Sequence, residues 1–214
     1  MADQALKFWI KTTLCIGQEI HISGDWFILH FTENNGMAFG LQFAGESGKL
    51  FLSIFRIIAI GVIGWYLTRI IKQKVHPGLI ISVSLIFAGA FGNIIDSAFY
   101  GLIFSESPYF YHSNNCDVAL FMPEGGGYGS ILHGKVVDML YFPIISGNYP
   151  DWLMGGRRFT FFAPVFNIAD SAITVGVFIL ILFQKRFFKK EEEKDNLEVE
   201  GIWFNDIRFS DLAI

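Results

Sequence analysis

The sequence predicts an all-α transmembrane helix bundle with a small extracytoplasmic β element. Composition is the first reason: of 214 residues, 52% are hydrophobic and 17% charged, where a soluble domain carries about 25% charge. The mean hydropathy is +0.44. The second reason is three stretches apolar enough to cross a hydrocarbon core, which takes about 20 helical residues. The third is that Lys and Arg gather on one side of those stretches, as they do at cytoplasmic ends of spans. The same composition excludes a disordered chain and a basic nucleic-acid binder, because a net charge of −4 leaves no positive excess for phosphate. Cys15 and Cys116 are too few for a disulfide framework and lack zinc-site spacing.

The first expected span is about 51–71, with Arg56 near one end and Arg69 at the other. The second, about 79–104, carries one charge, Asp96; the third, about 159–183, also carries one, Asp170. The connection 69–78 holds Arg69, Lys72 and Lys74, and Lys185, Arg186, Lys189 and Lys190 follow the last span, so both lie inside. Segment 105–158, with only Lys135, Arg157 and Arg158, faces out, as does 15–50. The first fifteen residues contain two lysines and no apolar core, so they are no signal peptide. An odd span count with an outer N-terminus predicts that a preceding helix is missing from this chain.

Within 20–45, the run Trp26–Phe31 and the turn signal Asn34-Asn35-Gly36 predict short strands. Residues 105–135 are Gly- and Tyr-rich, too polar and broken to span. Residues 1–190 thus form the membrane domain, and 191–214 a charged cytoplasmic tail.

An Asp inside a membrane helix costs about 2.5–3.5 kcal/mol on insertion scales. Here it occurs twice in nearly the same words, Asn93-Ile94-Ile95-Asp96-Ser97-Ala98 and Asn167-Ile168-Ala169-Asp170-Ser171-Ala172. Each Asn and Asp, three apart, share a helix face. Gly89, Ala90 and Gly92, with Ala169, Ser171 and Ala172, allow close helix approach. A purely structural clasp is the plainer alternative. Depth argues for more. Asp96 lies toward the outer end of its span, and a helix starting near Pro164 would carry Asp170 only about 9 Å in. A third acid, Asp138, sits among apolar residues of the outer segment.

The chemistry open to such acids is narrow. His21, His30, His76, His112 and His133 lack HExxH spacing, so no metal is expected. Residues 129–136 approach a phosphate loop but lack its terminal Ser or Thr. No G-x-S-x-G elbow occurs. Two acids in one site share one proton, because like charges a few ångströms apart cannot both ionise. The ionised acid activates water and the protonated one polarises a carbonyl, which is peptide hydrolysis without a cofactor. The alternative is a proton-coupled transporter with Asp96 and Asp170 as a relay, which would need inverted repeats or broken helices. Spacing alone suggests the symmetrical pair Asp96 and Asp170.

The chain resembles the lipoprotein signal peptidases (signal peptidase II) over roughly 3–190. Asp3-Gln4 with Lys7 is similar to the family's D-Q-x-x-K, and Asn34-Asn35-Gly36-Met37-Ala38-Phe39 to its N-x-G-x-A-F block. Gly89 to Asp96 resembles G-A-x-G-N-x-x-D, Val136-Val137-Asp138 resembles V-V-D, and Phe166 to Ser171 resembles F-N-x-A-D-S. The resemblance implies four spans, of which this chain lacks most of the first. It implies a catalytic pair of Asp138 and Asp170, with Asn34, Gly36, Asn93, Asp96 and Asn167 binding substrate or supporting the pair. It also implies a bacterial inner-membrane aspartyl endopeptidase with its active site toward the periplasm. The expected partners are membrane lipid and a prolipoprotein cut just before its diacylglyceryl-modified cysteine; no nucleic acid and no cofactor are expected. Two departures stand out. Ser97 occupies the position after Asp96 where the family often has Arg, so that ion pair is expected either to be absent or to be replaced by a basic residue elsewhere, such as Lys135. Segment 101–135 is also longer than the usual connection.

Overall fold

The computed structural model describes residues 1–35, 45–110, 116–161 and 163–187. Helix α1 (Ala2–Thr13) buries Lys7, Ile10 and Lys11 along one stripe, the spacing of neighbours on a helix face. Strands β1 (Glu19–Ser23) and β2 (Phe27–Asn34) form a hairpin whose turn begins at Gly24, at φ +50°. Two long helices follow, α2 (Gly45–Lys72) and α3 (Pro77–Ile103). Helix α3 starts on Pro77, capped by His76, and widens into a π-helical segment at Asp96–Tyr100. Strand β3 (Val136–Tyr141) comes next, then β4 (Ile145–Asn148), a single turn Asp151–Met154, β5 (Arg158–Phe161), β6 (Val165–Phe166) and helix α4 (Ile168–Phe187).

Among the described residues, three helices are long and apolar enough to cross a membrane: Leu50–Lys72, Pro77–Ile103 and Ile168–Phe187. Their outward faces, including Phe51, Ile58, Val62, Phe178 and Leu182, are exposed apolar surface suited to lipid. Helices α3 and α4 approach at glycine distance: a Cβ on Gly89 would lie 2.3 Å from the Ala169 carbonyl, and one on Gly176 2.7 Å from that of Ser82. This is the small-residue contact expected from Gly89 and Ala169.

The strands form two sheets. One has the order β1-β2-β3-β6, the other pairs β4 with β5. Thr32 stands opposite Asp138, and Leu140 opposite Phe166, so β3 lies between the hairpin and the chain entering α4. Ile10, Leu14, Phe31, Tyr100, Phe104, Val137 and Met139 form a core joining α1, α3 and the sheet. A second cluster, Ile70, Leu79, Val83 and Phe187, closes the other end of the bundle. The long connection after α3 is tied down by a Cys15–Cys116 disulfide and by bridges Ile16–Tyr109 and Phe104–Phe121. Two cysteines do not make a framework, yet they are used.

The third span departs from expectation. It begins at Ile168, not at 159, and Pro164 precedes β6 rather than opening the helix. The alternating residues of 158–161 pair with β4, and Asn167 caps the helix instead. The first two spans agree with expectation within two residues. The strands expected in 20–45 form through Asn34; Gly36 and the 191–214 tail lie outside the described residues.

Candidate active site

The site is assembled where the start of α4 meets β3 and α3. Asn167 accepts a hydrogen bond at Oδ1 from the Asp170 backbone N–H, at 2.8 Å, and Asp170 Oδ2 accepts one from the Asn167 N–H at 3.4 Å. This is a reciprocal capping box with Asp in the usual Glu position. A local helix-start signal therefore fixes where the Asp170 carboxylate points. Asp138, in the middle of β3, is 4% exposed.

Two amides join the acids. Asn167 Nδ2 donates to Asp138 Oδ1 at 2.7 Å, and Asn93 Nδ2 donates to Asp170 Oδ1 at 2.7 Å. Asn167 Nδ2 also lies 3.1 Å from Asn93 Oδ1, so the two amides are in contact. Asn34 adds a side-chain hydrogen bond to Asp138. Burial pushes the Asp138 carboxyl up to about 7, and the charge of Asp170 pushes in the same direction. Hydrogen bonds from Asn167 and Asn34 and the charge of Lys7 oppose the rise. Arg56, in α2, is within electrostatic reach of both Asp170 and Asp138.

Asp96 has different company. Lys7 Nζ is 2.8 Å from its Oδ2, Gln4 Nε2 donates to Oδ1 at 2.7 Å, and the Val137 N–H donates at 3.3 Å. Lys7, itself fully buried, also donates to Asn93 Oδ1 at 2.7 Å and lies 3.0 Å from Asp3. Asp3 Oδ1 accepts from the Ala169 N–H at 2.9 Å, occupying another free donor at the start of α4. The two similar N-I-x-D segments thus have unlike environments.

Of the expected site residues, Asp138, Asp170, Asn34, Asn93 and Asn167 come together, Asp96 stands one ion pair behind them, and Gly36 lies outside the described residues. The expected stand-in Lys135 is not with Asp96; it pairs with Glu106 and Glu33. Lys7 holds Asp96 instead, because the buried stripe of α1 faces α3. The site reading left out Asp3, Gln4 and Lys7. The available signal was a short block with an acid and a base one helical turn apart, beside a chain that otherwise places few charges near its apolar segments. Among the described residues, no group of three or more His, Cys, Asp or Glu is placed to hold a metal.

Fold and site together define a multi-pass membrane protein that brings two carboxylates to one end of its bundle through a shared pair of asparagines. Residues 1–186 match the family Signal peptidase (SPase) II. A Lipoprotein signal peptidase of Porphyromonas gingivalis is 47% identical over 189 residues, covering 87% of this chain and 79% of that one. That of Amoebophilus asiaticus is 38% identical over 197 residues, covering 90% of this chain and 76% of the other. A solved bacterial membrane enzyme, 26% identical, superposes with a TM-score of 0.53 and covers 85% of this chain and 83% of its own. The chain belongs to the signal peptidase II family of aspartic proteases.

Proposed function

We propose that Asp138 and Asp170 are the catalytic pair of a peptidase that removes signal peptides from prolipoproteins. The observation that carries this is the paired amides of Asn93 and Asn167, which hold one carboxylate each while touching one another. Asp138, with its carboxyl raised to about 7, is the member suited to keep the shared proton and donate it to the scissile carbonyl. Asp170, fixed by the capping box and Asn93, takes a proton from water as the water oxygen attacks the carbonyl carbon. That proton then goes to the leaving amine as the carbon–nitrogen bond breaks, while one hydroxyl of the tetrahedral intermediate returns its proton to Asp138 and becomes the carbonyl of the new carboxyl group. Asn34 orients Asp138, and Asp96, neutralised by Lys7, steadies the strand through the Val137 N–H. Gly36, from the same resembled block as Asn34, belongs with the substrate-binding residues.

On this reading the substrate is a helical signal segment that enters sideways from lipid and is cut just before a diacylglyceryl-modified cysteine. The protein sits in the bacterial inner membrane with the site toward the periplasm. The clustering of Lys and Arg at the opposite helix ends supports that orientation. So does the Cys15–Cys116 disulfide on the side of the site, since disulfides persist in oxidising compartments. The fourth crossing helix implied by the family resemblance is part of the same proposal. No feature of Asp96 favours a proton relay: its carboxylate is engaged by Lys7, Gln4 and a strand N–H.

The test is cleavage of a lipid-modified prolipoprotein by Asp138→Asn and Asp170→Asn. Each is expected to abolish cleavage while the protein still inserts and melts cooperatively. Turnover retained by either variant would remove the pair.

A further inference from the structure

The two-stranded sheet β4–β5 stands apart from the site and is amphipathic by register. Ile145 is opposite Phe161 and Gly147 opposite Phe159 on one face; Ser146 is opposite Thr160 and Asn148 opposite Arg158 on the other. Thr160 and Ile144 line a cleft of about 680 Å³ that also contains Glu19, His21, Asp25 and Tyr141. One face therefore looks onto this cleft, whose lining mixes polar side chains with Trp26, Ile28 and Pro143, and the Ile145–Phe161 face looks away from it.

That second face is bare. Ile145 is 56% exposed, Phe161 62%, and Trp152, in the connecting turn, 83%. Among the described residues, β4 and β5 pack extensively only against each other. An isolated two-stranded hairpin is marginal in water, and a supporting surface is what such a unit needs. Phe161 is seven residues from Ile168, where α4 enters its span, a reach of at most about 25 Å. Exposed Arg157 beside an aromatic tip is the composition of a membrane–water boundary.

We infer that the Ile145–Phe161 face and Trp152 dock onto the lipid headgroup layer of the leaflet in which α4 begins. The sheet is then an interfacial anchor, and because it lies in the chain between β3 and α4, it sets the height of the junction between them relative to the bilayer. The inference uses the spans and the sheet register, and it stands whether or not Asp138 and Asp170 are catalytic.

The test uses the full chain in phosphatidylcholine nanodiscs. The two native cysteines are joined to each other, so an introduced thiol can be labelled alone with an environment-sensitive fluorophore. Phe161→Cys samples the apolar face and Asn148→Cys the polar one. The label at 161 is expected to shift to the blue, to be quenched by lipids with a nitroxide near the headgroup, and to be shielded from aqueous iodide. The label at 148 should show the reverse. Equal iodide access at both positions overturns the inference. Shielding at 161 without lipid quenching also overturns it and assigns the face to a protein occupant. Ile145→Cys, opposite Phe161, repeats the measurement if the first variant folds poorly.

Discussion

Asn167 does three jobs with one side chain: its Oδ1 caps α4, its Nδ2 holds Asp138, and the same Nδ2 meets Asn93. Buried polar atoms need protein partners, and Asn167 finds one for each end of its amide. Asp138 is the exception in energy. Its carboxyl stands at about 7 in the folded protein and at about 3.9 in an unfolded chain. The folded state therefore keeps a proton that the unfolded chain releases as pH rises from about 4 to about 7. Stability from this group is greatest below that window and falls through it, the opposite of an ion-paired Asp. Asp138→Asn should remove the fall, so the variant should melt above the parent at pH 8, by about 2–4 kcal/mol, and close to it at pH 4. Thermal unfolding in detergent across that range measures it. Cleavage by the parent should decline above about pH 7, where the shared proton is lost.

Helices α3 and α4 must be close for Asn93 to reach Asp170, and Gly89 makes that approach possible. A Cβ there meets the Ala169 carbonyl at 2.3 Å, a backbone atom that cannot swing away. Gly89→Ala is expected to cost about 1–3 kcal/mol, as overpacking does. It should also lower cleavage by about 100-fold through a displaced Asp170. Gly61→Ala, in α2, meets nothing within 4 Å and is the control, expected to be neutral in both assays. The π-helical segment at Asp96–Tyr100 also belongs to this scale. It begins on Asp96, the residue held by Lys7 and by the strand N–H of Val137, and such bulges are frequent at functional sites.

Across the molecule, two fastenings of the layer outside the bundle add to the strand bridges at Ile16 and Phe104. One is a buried cluster in which Lys11 meets Glu33 and Ser107, with the Phe104 and Tyr128 rings about its ammonium group. The other is the Cys15–Cys116 disulfide, which spans 101 residues of sequence. Cys116→Ser, or reduction, should lower stability by about 2–5 kcal/mol. Because the proposed catalytic pair, Asp138 and Asp170, is anchored by Asn93 and Asn167 rather than by this connection, cleavage below the lowered melting temperature should persist. Melting curves with and without reductant, alongside cleavage at low temperature, separate the two effects.

Much of this molecule was legible from residue order. The spans follow from hydrophobic length, and the two strands after α1 from an aromatic run. The five polar blocks were legible through the family resemblance, and the two around Asp96 and Asp170 also because a carboxylate inside an apolar run is costly and therefore conspicuous. The start of α4 was not legible as placed. The apolar run 159–183 is interrupted by Pro164 and by Asn167–Asp170, but Pro164 suits the first turn of a helix, and strand pairing to β3 and β4 is what takes the residues before Ile168 out of it. Pairing is a contact between distant segments, which hydrophobic length does not encode. The partner of Asp96 was hidden for the same reason: Lys7 and Lys135 are both basic residues near apolar sequence, and the packing of α1 against the sheet and α3 selected Lys7. The sequence by itself determined which residues are too costly to bury without purpose. Only the tertiary structure decided which of them face one another, because that depends on how α1, β3 and two helices, bringing together asparagines 74 residues apart in the chain, meet at one end of the bundle.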